Sequence, residues 1–195
     1  MKDIFYADKR DMAKWGGMIH LCNLKKIGTV IQVAYYRESS LPKLNFDGKM
    51  VDFPDEIKMH FRNIENISLL GKYAGVNIKV FKEPFSHETR NEYHERLIKN
   101  LNRYKNPKVV FLDPDNGLAP GTCKEEHVAP DEVKEIWDGL KKNDILVFYQ
   151  HMYRRTGWDI TSRDNLAKAC RVIPNRVQQW SSEIAHDVVF FFIEK

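Results

Sequence analysis

The chain has 195 residues, 43% of them apolar and 30% charged, the size and composition of one ordinary globular domain with a substantial buried core. No apolar run approaches the roughly 20 residues that cross a bilayer, the opening MKDIFYADKR lacks the apolar core of a secretory signal, and three widely spaced cysteines (Cys22, Cys123, Cys170) supply neither a disulfide framework nor a Cys-x-x-Cys zinc site; a cytoplasmic protein is expected. The net charge of +4 is mild, with small basic groups at Lys9, Arg10 and Lys14, at Lys25 and Lys26, and at Arg154 and Arg155, which permits contact with a nucleic acid or nucleotide without demanding it.

Asp8 is placed to cap a first helix over about 9–23, with Met12, Trp15, Gly16, Ile19 and Cys22 spaced for one apolar face. The β-branched and aromatic run TVIQVAYY, 29–36, predicts a central strand. An irregular insertion of about 37–53 follows, rich in Ser, Pro, Asp and Gly. Pro54 opens a helix through about 63, and a second helix ends near Ala74, closed by Gly75. Residues 77–81 form a short strand, and Ser86 caps a helical stretch to about 104. A strand at 109–112, a helix from Pro130, a strand at 144–149 and a helix over about 162–172 come next. Two strands with a tight connection, 176–181 and 187–193, end the chain as an antiparallel pair. Strands alternating with helices predict one α/β domain over 1–195, a three-layer, Rossmann-like arrangement with a mostly parallel sheet and a C-terminal antiparallel hairpin.

The segment KVVFLDPDNGL, 108–118, carries the most chemistry. Val109 to Leu112 read as a strand buried on both faces, so Asp113, Asp115 and Asn116 fall at its carboxyl end, where open α/β sheets bind ligands. Asp-Pro and Asn-Gly also serve as an ordinary strand-terminating turn. The next parallel strand ends in Gln150 and His151, which should approach Asp113 and Asp115, and Arg154 and Arg155 follow with forked donors suited to phosphate. His151 beside two carboxylates could act as general acid or base, or join them on a divalent metal ion. Lys9 or Arg10, in the first turn of the leading helix, could reach a phosphate at the mouth of such a site.

The order strand, helix, strand, helix, terminal hairpin from Lys108 onward resembles the second half of the class I methyltransferase fold, with Asp113-Pro114-Asp115-Asn116 standing where that family carries Asp-Pro-Pro-Tyr or Asn-Pro-Pro-Tyr. The leading segment YADKRDMAKWGGMIHL is similar to the first helix of ribosomal-RNA adenine methyltransferases and of three-cysteine-motif partner proteins. The resemblance implies S-adenosylmethionine as cofactor, bound after the first strand beside Tyr35 and Tyr36, and a nucleic acid or nucleotide acceptor oriented by Asp113 and Asn116, with Asp115 and His151 flanking it. Two departures stand out. No glycine follows the first strand, where Ala34-Tyr35-Tyr36-Arg37 stands instead, and Asp115 puts a charge where the family has proline; that charge must be solvated, paired or metal-bound. Two other readings remain open: a metal-dependent phosphoesterase or nuclease using Asp113, Asp115 and His151, and a catalytically degenerate binding module. A haloacid-dehalogenase reading of Asp-x-Asp lacks the usual follower residue and a later acidic pair.

Overall fold

The computed structural model describes residues 8–38, 43–61, 63–153 and 156–195. In chain order the elements are α1 (Lys9–Lys25), β1 (Thr29–Val33), β2 (Leu44–Phe46), β3 (Lys49–Val51), α2 (Asp55–Phe61), α3 (Ile67–Ala74), β4 (Asn77–Phe81), α4 (Arg90–Leu101), β5 (Val109–Leu112), β6 (Gly117–Leu118), β7 (His127–Val128), α5 (Pro130–Gly139), β8 (Ile145–His151), α6 (Trp158–Ala169), β9 (Gln178–Ser182) and β10 (Ala185–Glu194). The central sheet runs β4, β1, β5, β8, β10, β9; the first four strands are parallel, and β10 lies antiparallel to both of its neighbours. A mixed α/β fold with a mostly parallel sheet and a C-terminal antiparallel pair is therefore present.

The strands are apolar on both faces, and successive residues serve two different cores. Ile31, Val33, Val110, Leu112, Leu146 and Phe148 join Leu97 of α4, Val133 and Ile136 of α5 and Leu166 of α6. Val30, Val109, Phe111, Ile145 and Val147 join Trp15, Met18 and Leu21 of α1 and Ile67 of α3. This two-sided burial is why the strands read as continuous apolar runs rather than alternating ones. The chain leaves β1 to build β4 on one side and returns to build β5 on the other, so the strand order reverses between β1 and β5. Asp113 N donates to Val33 O at 3.0 Å, which ties the two strand ends together at that reversal. At the opposite end, buried Lys108 donates through Nζ to Asp144 Oδ2 at 2.7 Å and fixes β5 against β8.

Several boundaries differ from the sequence expectation for identifiable reasons. The first strand stops at Val33, and Tyr35 then adopts a left-handed φ of 44°. The helix expected from Ser86 starts at Arg90, because the Ser86 hydroxyl accepts from Thr89 N at 3.2 Å and closes a turn before the helix. The last helix begins at Trp158, after Gly157 at φ 69°, and ends at Ala169. Within the insertion, β2 and β3 form a hairpin whose Asp47-Gly48 turn has positive φ at both residues, the geometry that matches strand twist. The largest difference is the face of α1. Met12 is 68% exposed, and the buried residues are Asp11, Ala13, Lys14, Trp15, Met18, Leu21 and Cys22. Among the described residues no helix is long and apolar enough to cross a membrane.

Candidate functional site

A cavity of about 390 Å³ opens at the carboxyl ends of β5 and β8, under the first turns of α1. Its walls are Asp8, Arg10, Asp11 and Lys14 from α1 and its cap, Arg37 beyond β1, Asp113 to Asn116 beyond β5, Glu126 before β7, and Tyr149 and His151 of β8. Asp8 caps the helix by accepting from Arg10 N at 2.8 Å and Asp11 N at 3.0 Å, which sets the first turn over the strand ends.

The floor is a buried charge cluster. Asp11 and Lys14 stand three residues apart on one helix face, and Lys14 Nζ donates to Asp11 Oδ1 at 2.6 Å and to Asp113 Oδ2 at 2.8 Å. Gln32, from the middle of β1, donates through Nε2 to the same Asp113 Oδ2 at 2.7 Å. Asp113 and Lys14 are 2% and 3% exposed, so the ammonium is withheld from water between two carboxylates. Burial lowers the Lys14 pKa, but Asp113 and Asp11 outweigh it and hold the ammonium above its ordinary value. Burial pushes the Asp113 carboxyl up; Lys14 pulls it back and Asp11 adds to the rise. The rings of Phe111 and Tyr149 flank Lys14 Nζ, each centroid at 5.7 Å.

Two arginines organise the rim. Arg37 pairs with Asp115 and, through Nη1, with Glu125 at 3.0 Å. Arg10 donates through Nε to Asp187 Oδ2 at 3.1 Å and through Nη1 to Asp8 Oδ2 at 3.1 Å. His151 Nε2 stands 3.4 Å from the same Asp187 oxygen, while Nδ1 lies 3.2 Å from Met152 O. Burial works to raise the Asp187 carboxyl, but the Arg10 hydrogen bond and charge hold it below its ordinary value.

Behind the rim, Gln150 is 1% exposed and makes three bonds that shape the loop after β5. Its Oε1 accepts from Leu118 N at 3.0 Å, and its Nε2 donates to Asn116 O at 2.8 Å and His151 O at 2.9 Å. Gly117, at φ 109°, passes so near that a Cβ there would stand 2.4 Å from Gln150 Oε1. Glycine is required at that crossing.

Asp113, Asp115, Asn116 and His151, from adjacent strand ends, thus share one cavity, and Arg10 joins them from the first turn of α1. Other expectations are corrected. His151 pairs with Asp187 of β10, not with Asp113 or Asp115, because β10 lies beside β8 on the side away from β5. Gln150 has its amide committed to backbone groups and lies behind the cavity wall, outside its lining. Tyr35 is 2% exposed, packed edge-on against Phe85 with centroids 5.3 Å apart, in the core rather than the cavity wall. Tyr36 is half-buried, bridges to Pro84, and likewise does not line the cavity. Lys9 is exposed and outside the walls, because its side of α1 faces solvent. Arg154 and Arg155 lie outside the described residues.

The charge on Asp115 is paired, and Arg37 pairs it. Sequence reasoning missed Asp11, Gln32, Glu126, Tyr149 and Asp187, and read Lys14 only as one of a basic group open to a nucleic acid or nucleotide. The i,i+3 spacing of Asp11 and Lys14, in phase with Trp15 and Met18, was the available signal; Asp187 gave none, since only the β8–β10 register brings it to His151. With Asp113 and Asp115 held by Lys14 and Arg37, no group of three or more His, Cys, Asp or Glu among the described residues is arranged to hold a metal ion. No family model matches this chain, and no curated protein matches it.

Proposed function

We propose that this chain is a three-layer, Rossmann-like domain of methyltransferase type that works as a ligand-binding module, with the cavity over β5 and β8 as its binding site. The reading is supported by the reversal of strand order beside Asp113, the place where open α/β sheets take ligands, and by the terminal antiparallel pair on which the resemblance rests.

The observation that carries the choice of a module over an enzyme is the segment after β1. A cofactor such as S-adenosylmethionine needs close backbone approach there, which glycine allows. Tyr35 instead turns its ring into the core, and Arg37 spans from the end of β1 to Asp115 and Glu125. These residues do not fit the cofactor. Isothermal titration of the full chain with S-adenosylmethionine tests the reading: no heat is expected, and saturable binding that Arg37→Glu abolishes would overturn it.

A second reading, a methyltransferase acting on a nucleic acid or nucleotide, draws on one observation. Asp113, Asn116 and the Tyr149 ring share the cavity, a carboxylate and an amide beside an aromatic surface. Transfer of a labelled methyl group to single-stranded RNA or DNA, lost in Asp113→Asn, would favour it over the module. The metal-dependent phosphoesterase has less support, because both of its carboxylates are already bound to cations.

A further inference from the structure

The structure assigns a second binding site, for a small organic phosphate monoester, to the cleft between α5 and α6. The cleft lies against the face of the sheet opposite α1 and stands independently of the cavity over β5 and β8.

The cleft holds a cavity of about 380 Å³. Three cations line it, Lys134 from α5, Lys168 from the last turn of α6 and Arg171 just beyond that helix, and among the described residues Asp131 is the one carboxylate on the wall. Lys168 and Arg171 are exposed and make no salt bridge among the described residues. Lys134 pairs at 3.1 Å with Asp138, which lies outside the wall. That carboxylate is shared: the Lys134 hydrogen bond, with the charges of Arg171 and Lys195 in support, holds it below its ordinary value. The wall thus keeps an excess of two positive charges, and adding Asp138 and Lys195 together leaves that excess unchanged. A phosphate monoester carries nearly two negative charges at neutral pH, where a carboxylate or a phosphodiester carries one.

The backbone at Arg171 gives a second reason. Arg171 follows the C-cap of α6 at a left-handed φ of 53°, a position that favours glycine, and its N–H donates to Lys168 O at 3.1 Å. An arginine held there is strained, and it sets a forked donor on the same wall as the Lys168 ammonium. Pro130 and Asp131, which open α5, also line the cavity, so the positive end of a ten-residue helix adds to the field. Buried Leu118, Ala119 and Ala169 give the wall an apolar part, a surface for a carbon skeleton that a bare phosphate ion lacks. The volume suits a small molecule rather than a chain segment of any length.

The test is a titration of the ¹⁵N-labelled full chain with adenosine monophosphate, alongside inorganic phosphate and a short single-stranded RNA without a terminal phosphate. Adenosine monophosphate is expected to shift the backbone amide signals of Gly121, Asp131 and Ala169 saturably, with affinity falling as salt rises. Arg171→Gly removes the guanidinium and relieves the left-handed strain, so it should weaken binding about tenfold while Tm holds or rises, a combination that loss of structure does not produce. Lys168→Glu, at an exposed position, should abolish the shifts. Unchanged affinity in both variants, or shifts that fall on Asp115, Asn116 and His151 instead, would overturn the assignment by placing the phosphate elsewhere. Inorganic phosphate or the RNA binding as tightly as adenosine monophosphate would overturn the choice of an organic monoester. Silence from all three probes would overturn the site itself, while the module reading is still judged by the S-adenosylmethionine titration.

Discussion

Lys14→Met is the sharpest probe of the cavity floor, because it removes charge while keeping the length of an apolar stem. The ammonium lies 2.6 Å from Asp11 and 2.8 Å from Asp113 in a site where Lys14 and Asp113 are at most 3% exposed. Breaking a buried pair by removing one partner costs about 3–5 kcal/mol, since an uncompensated charge is left behind. For a domain of this length each kcal/mol lowers Tm by roughly 2–4 °C, so a fall of about 6–20 °C is expected. The deficit should depend on pH in a defined direction. Burial already raises the Asp113 carboxyl, and losing Lys14 removes the main influence that lowers it. A carboxyl whose folded pKa exceeds its unfolded value destabilises the fold at pH above that range, and the penalty fades as pH falls and the group takes up a proton. Urea unfolding of wild type and Lys14→Met at pH 7 and pH 5, with Lys14→Met/Asp113→Asn as the repairing double variant, measures each part. A loss under about 1 kcal/mol, equal at both pH values and unchanged by Asp113→Asn, would refute the buried-cluster reasoning.

Four further outcomes are expected. Gly117→Ala combines a positive φ with a Cβ 2.4 Å from Gln150 Oε1, so it should pull Gln150 off Leu118 N and Asn116 O and lose about 1–3 kcal/mol per unsatisfied group in urea titration. Burial pushes the Cys22 thiol up to about 11 and Cys170 up to about 12, so Ellman's reagent at pH 8 should modify only half-buried Cys123 in the native protein and all three cysteines in guanidinium. Asp187 is held below its ordinary value, so its pairing with Arg10 stabilises fully above the usual carboxylate range and weakens as pH falls through the lowered one; the advantage of wild type over Arg10→Ala, under about 1 kcal/mol for so exposed a pair, should shrink in acid denaturation. Arg37→Ala, Asp115→Ala and the double variant, compared by thermal unfolding, should be non-additive by about 1 kcal/mol or more, because both side chains are less than 15% exposed.

How much the sequence disclosed depended on whether an element's identity is local. Val109–Leu112 and Ile145–Tyr149 announce themselves because a strand buried on both faces must be apolar at every position, and the polar break after each marks its carboxyl end. The placement of Asp113 at a ligand-binding edge followed from that alone. The face of α1 did not follow. A helical stripe is recognised by its apolar members, and two of the seven buried residues of α1 are charged. Lys14 meets Asp113 inside, a partner 99 residues away that Gln32 also holds, information that no local pattern carries. His151 failed for a related reason: the nearest carboxylate in the parallel order is Asp113, but the antiparallel β10 brings Asp187 alongside from a segment 36 residues later.

The two departures from the methyltransferase pattern, which look independent in the sequence, are one structural fact. An arginine after β1 in place of a glycine turn reaches across the strand ends and needs an anion; an aspartate after β5 in place of proline needs a cation. Neither side chain is more than 14% exposed, so each charge calls for a partner at the rim. Together they form a strap across the segments that follow β1 and β5, with Glu125 as a second anchor for Arg37. The strap leaves the cavity bounded by Asp113, Glu126 and Tyr149 as the open part of the crevice.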